Sequence, residues 1–119
     1  GYVIYVNGQT MTSGNNVISP LLARSAATPG VSQFGLNLRQ NTSPSVGANP
    51  QQGPVGSGSA IGDYSFPNQF TFVNGDVVAG ATKSSGFTRY TVSYIVNVSN
   101  NQAPGVYATS LQYTALATF

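Results

Sequence analysis

The side chains able to do chemistry are few and far apart. Asp63 and Asp76 are the only carboxylates in 119 residues, and Arg24, Arg39, Lys83 and Arg89 are the only cations. His, Cys, Glu and Trp do not occur. Thiol chemistry, disulfides, imidazole acid–base catalysis and zinc sites built on Cys or His are therefore excluded. A glycosidase needs two carboxylates at a set separation, and a calcium site draws several of its oxygens from carboxylates. Asp76 instead stands in the turn sequence Asn74-Gly75-Asp76, and Asp63 follows Gly62. Both are positions where Asp bonds to nearby backbone. The expectation is a protein that is not an enzyme, with no catalytic residue, no metal ligands and no cofactor.

Modification and ligand stacking leave a few candidates. Asn41-Thr42-Ser43 and Asn97-Val98-Ser99 match the N-glycosylation pattern, which makes Asn41 and Asn97 the candidate acceptors. Lys83 could form an isopeptide bond with an Asn, but Gly80-Ala81-Thr82-Lys83-Ser84-Ser85-Gly86 reads as an exposed loop without the buried acid such chemistry needs. Sugar rings stack on exposed aromatics. Tyr90, Tyr94, Tyr107 and Tyr113 fall on expected core faces, where an aromatic packs and its hydroxyl reaches the rim. Tyr5 and Tyr64 are the better stacking candidates.

Only 5% of residues are charged, and the net charge of +2 reflects scarcity rather than a basic patch. Four scattered cations make no nucleic-acid footprint. No apolar run approaches the length of a membrane helix. A surface of neutral hydroxyls and amides responds little to salt or pH. It also opposes self-association weakly.

The elements that must place these residues are strands. From Thr88 to Ser99, Tyr90, Val92, Tyr94, Val96 and Val98 share one face, with Ile95 the exception on the other. Val106 to Phe119 alternates again, with Tyr107, Leu111, Tyr113, Ala115, Ala117 and Phe119 together. A period of two with aromatic and β-branched residues marks strands. The turn sequence Asn100 to Gly105 joins them, so a long hairpin is expected. Tyr2–Val6 runs into Asn7-Gly8, a hairpin signal before Gln9–Thr12. Phe34, Leu36 and Leu38 alternate, as do Phe70 and Phe72. Leu21–Ala27, enclosed by Pro20 and Pro29, reads as an extended crossing. Asn41–Gly62, rich in Gly, Pro and Ser, reads as a long compact loop.

The fold class expected is all-β, a single antiparallel β-sandwich over residues 1–119 of about six or seven strands, Ig-like or pilin-like. The chain opens and closes on apolar strands with one Lys to guard any edge. Natural sheets normally protect their edges. The sandwich is thus expected to be incomplete without a donated strand. The contact would use the Tyr2–Val6 edge (Tyr2, Ile4, Val6) and the last strand (Tyr113, Phe119). A head-to-tail contact of that kind gives a homopolymer. Opening at Gly1 rather than Met fits either removal of a signal peptide or a piece of a longer chain. A structural subunit of an extracellular filament or cell-surface coat is the first expectation. A glycan-binding or cell-wall-binding module is the second.

Three stretches carry a family resemblance: Gly1-Tyr2-Val3-Ile4-Tyr5; Gln33–Leu38 with Asn41–Pro50; and Tyr90–Val98 with Ala103–Tyr107 and Leu111–Phe119. Together they resemble small secreted surface proteins of candidate-phyla (Saccharibacteria-like) bacteria. The Ala103-Pro104-Gly105-Val106-Tyr107 turn and its following strand are also similar to the end of WxL-type wall-binding domains, although Trp is missing here. The resemblance spans most of the chain and rests on strand-and-turn phrases. It implies a secreted, cell-surface location rather than an activity. In that pattern a leader and at least one further strand precede the Gly-Tyr-x-x-Tyr segment, which again implies a strand supplied from elsewhere.

Overall fold

A computed structural model describes residues 1–119. The chain is all β, and its one helical element is the 3-10 turn Gly62–Ser65. No helix is long and apolar enough to cross a membrane. Strands of five residues or more are Tyr2–Gly8, Gln33–Asn37, Val77–Ala81, Ser93–Asn97 and Leu111–Ala117. The remaining strands are two-residue pieces.

Two layers share the core. The first is an antiparallel sheet in the order Leu111–Ala117, Tyr2–Gly8, Val77–Ala81, Ser59–Ala60. The second is built on Gln33–Asn37, which pairs antiparallel with Ser93–Asn97 on one side. On its other side it bridges to Thr71 and Pro20. Val6, Val78 and Ala79 of the first layer meet Phe34, Leu36 and Phe72 of the second, with Ile18, Leu38 and Tyr64 filling between. Phe34 and Phe72 pack edge to face, with centroids 5.4 Å apart. Each such side chain taken out of water contributes about 1.5–3 kcal/mol. The molecule is thus a sandwich-like antiparallel fold whose sheets do not close on themselves.

The expected partners differ from those observed. Ser93–Asn97 and Leu111–Ala117 do not form a hairpin; they lie in different layers. The cause is Ala108, whose backbone exchanges two 3.0 Å bonds with Thr12 and carries the chain across to the first layer. Asn7-Gly8 does not turn either. Both remain in the strand, and the Gly8 N–H is taken by Asn74 Oδ1 at 2.9 Å. The tight turn falls later, where Thr12–Ser13 folds onto Asn16–Val17. Periodicity reports which residues share a face; it carries no information about which strand lies alongside.

Leu21–Ala27 forms no helix; it bends at Leu22–Ala23, between the bridged positions Pro20 and Ser25. Leu21 donates to Phe34 O, and Ser25 exchanges bonds with Phe70. The stretch Asn41–Gly62 is held by short pairings: Asn41–Thr42 with Ser45–Val46, Gln51–Gln52 with Thr88–Arg89, and Ser59–Ala60 with Val77–Ala81.

Within it the turn Gly53–Gly56 holds Val55 at φ 51°, in the left-handed region, with its side chain 87% exposed. Bonds from Gly86 N–H to Val55 O and from Gly53 N–H to Phe87 O clamp the turn there. A β-branched residue is strained in this region by about 1–3 kcal/mol. The extra chain entropy of glycine offsets part of its relief. Val55→Gly is expected to raise stability by about 1 kcal/mol, seen as a higher urea midpoint with unchanged slope. A lower midpoint would show that the side chain, not the backbone, matters at this position.

Candidate assembly surface

The surface is built from two strand edges. Thr118 and Gly1 exchange backbone bonds, N–H of Thr118 to O of Gly1 at 2.9 Å. Antiparallel pairing alternates. Leu116, Thr114 and Gln112 therefore turn their amides toward Tyr2–Gly8, while Ala117, Ala115 and Tyr113 turn theirs away, to a side with no neighbour. Phe34 and Leu36 bond to Ser19, Leu21 and Thr71, so Gln33, Gly35 and Asn37 serve Ser93–Asn97. That leaves Tyr94 and Val96 with outward amides on the second free edge.

Side chains follow the same alternation. Tyr113, Ala115 and Ala117 share the face of Val6, Ile4 and Tyr2, which is the core side. Tyr94 and Val96 share the face of Leu36 and Phe34, again the core side. Tyr90 and Val92 just before them pack against the core. Tyr94 and Val96 are 43% and 44% exposed because no strand covers them. Ile95, on the opposite face, is buried near Pro29 and Pro44. The face expected to be dry is thus wetter than its reverse over this stretch. Between the two edges lies an apolar slot of about 290 Å³, lined by Met11, Phe34, Tyr94, Val96, Thr109 and Leu111. The hydroxyls of Tyr94 and Tyr113 meet across the two layers beside it.

The expected contact residues separate into two groups. Tyr2, Ile4 and Val6 do not form an edge: their strand is paired on both sides, and Val6 is fully buried. Leu111–Ala117 takes the place expected for a donated strand beside them. Tyr113 and the fully exposed Phe119 are on the surface. Met11, Phe34 and Thr109 escaped the sequence reading because nothing local marks a residue that lines a gap between layers.

The other candidates sort by burial. Asn41 is 2% exposed, and its Nδ2 donates to Asn37 Oδ1, Arg39 O and Val46 O at 2.9–3.0 Å. It is closed to a sugar, contrary to its sequence pattern. Asn97 is half-buried and donates to Gln33 Oε1. Asp63 pairs with Arg24 at 2.9 Å on the surface. No cluster of three potential metal ligands exists. Lys83 is exposed.

Tyr64, expected to be open for stacking, is 2% exposed. It donates to Asp76 Oδ2 at 2.8 Å and accepts from Val73 N–H. Burial, then the neighbouring Asp76 carboxylate, push its phenol above the ordinary range. Burial and the Tyr2 hydroxyl do the same to Tyr90.

A tyrosine held neutral in the fold but free to ionise when unfolded stabilises fully below the unfolded pKa of about 10. Its contribution falls as pH climbs above that value, by about 1.4 kcal/mol per unit for each such group. Urea midpoints are expected to hold up to about pH 9 and to drop steeply beyond about pH 10, with Tyr64→Phe reducing the slope. A flat alkaline profile would contradict the burial of these phenols.

No known protein family, curated protein or solved structure matches the chain.

Proposed function

We propose that the chain is a structural subunit of an extracellular filament or cell-surface coat, assembled by strand addition between copies. The observation that carries this reading is the pair of free edges, Tyr94–Val96 and Tyr113–Ala117, with an apolar slot running beside Tyr94 and Val96 to Leu111 at the start of the last strand. Neither edge bears a Lys or Pro, the usual guards against pairing with another chain. A strand entering there would meet outward amides on both borders, and its alternate side chains would cover Val96, Phe34 and Leu111. A surface with 5% charged residues adds little repulsion to the approach of a second copy. The scarcity of charged side chains and the lack of His and Cys also support a role without catalysis. The secreted location implied by the family resemblance is part of the proposal.

The test is size-exclusion chromatography and negative-stain electron microscopy of the intact chain over a concentration series. Polymers that grow with concentration are the expected result. A monomer at every concentration, together with a response on a glycan array, would overturn this function in favour of a carbohydrate-binding module.

A further inference from the structure

Four of the seven tyrosines meet in hydroxyl-to-hydroxyl pairs. Tyr2 and Tyr113 stand on the first layer; Tyr90 and Tyr94 belong to the segment opposite. The Tyr2–Tyr90 pair, at 2.8 Å, is half-buried beneath Gly58, where a Cβ would lie 2.0 Å from Tyr90 Oη. The Tyr94–Tyr113 pair differs. Both residues are about two-fifths exposed beside the slot, at 43% and 36%, so solvent and small oxidants reach them. Phe34 stacks on the Tyr94 ring, with centroids 6.4 Å apart and planes 18° apart, and limits its rotation.

We infer that Tyr94 and Tyr113 form a site of oxidative coupling, joined within one copy as a dityrosine by a haem peroxidase using hydrogen peroxide. Each phenol gives up one electron and one proton and becomes a phenoxyl radical. The two radicals pair at ring carbons ortho to oxygen, and one carbon–carbon bond forms. Those two carbons release their protons as the oxygens regain theirs, which restores both phenols. Two hydrogen atoms leave the chain, and one peroxide becomes two waters. In the product each hydroxyl stands ortho to the new bond and the two are neighbours, as the two hydroxyls already are in the folded chain. A chain without Cys gains by this route a covalent tie between its layers. The tie spans the side on which both sheets end in free edges. The coupling does not depend on assembly.

The experiment treats dilute full-length protein with haem peroxidase and hydrogen peroxide and maps the product by mass spectrometry. No Lys or Arg follows Arg89, so trypsin releases residues 90–119 as one peptide holding both tyrosines. That peptide is expected to lose two hydrogens and to stop fragmenting between Tyr94 and Tyr113. Tyr94→Phe and Tyr113→Phe should each abolish the species, while Tyr107→Phe keeps it. The wild type treated in concentrated urea should not form it. Coupling confined to pairs between copies, coupling at Tyr5, persistence in Tyr94→Phe, or equal yield in urea would each overturn the inference.

Discussion

Ala115→Pro is expected to leave the subunit folded and to remove its polymers. Ala115 lies opposite Ile4 in the alternation set by the Gly1–Thr118 bonds, so its N–H points to the free side and serves no internal partner. Proline is tolerated on an edge strand when the missing N–H would have faced solvent. The same ring blocks a strand arriving from outside, because it removes a donor and fills the space beside it. A lost bond of about 1 kcal/mol plus the clash should weaken association by about 100-fold or more. Thr114→Pro is the contrasting variant. Its N–H faces Tyr5 within the sheet, and its loss should destabilise the fold by about 3 kcal/mol. Sedimentation and urea unfolding read the two effects separately. If Ala115→Pro polymerises like the wild type, assembly does not run through this edge.

Asn41→Ala is expected to destabilise the chain by about 3 kcal/mol. Asn41 and Asn37, 2% and 0% exposed, exchange amide bonds of 2.7 and 3.0 Å. Asn41 also accepts from Asn68 N–H at 2.8 Å, while Asn68 Oδ1 accepts from the N–H groups of Thr42 and Ser43. The Asn41 amide therefore ties the turn Asn41–Val46 to the end of Gln33–Asn37 and to the loop at Asn68. Its removal takes one partner from each end of the Asn37 amide and leaves the Asn68 N–H and the Arg39 and Val46 carbonyls without the Asn41 side chain, and each unsatisfied group costs about 1–3 kcal/mol. Asn41→Asp keeps the shape, loses the donors and adds a buried charge, so it should be no better. A shift of the urea midpoint worth less than about 1 kcal/mol would show that water replaces these bonds.

Asn41 carries the same three-residue pattern as Asn97, yet one amide is sealed inside the fold and the other is half-open. A tripeptide has no burial, and only the packing of Asn37, Val46 and Asn68 around it closes the site. Tyr64 makes the same point. Its neighbours in sequence suggest a loop, but the 3-10 turn Gly62–Ser65 points it into the core, where Asp76 takes its proton bond.

The amino-acid order was enough to establish an all-β chain with few charged side chains and no His or Cys, because those properties are local. Alternation, turn residues and the scarcity of charged side chains are written one residue at a time. It was also enough to place Tyr94, Val96, Tyr113 and Ala115 on the core-side face, since a strand's two faces follow from its period. Strand partners and exposure were decided in three dimensions. Tyr2–Gly8 lies between two strands more than 60 residues away in sequence, and Ala108 pairing with Thr12 sends the last strand to the opposite layer. Pairing depends on which backbones meet once the core has collapsed, and exposure depends on what then remains to cover each face.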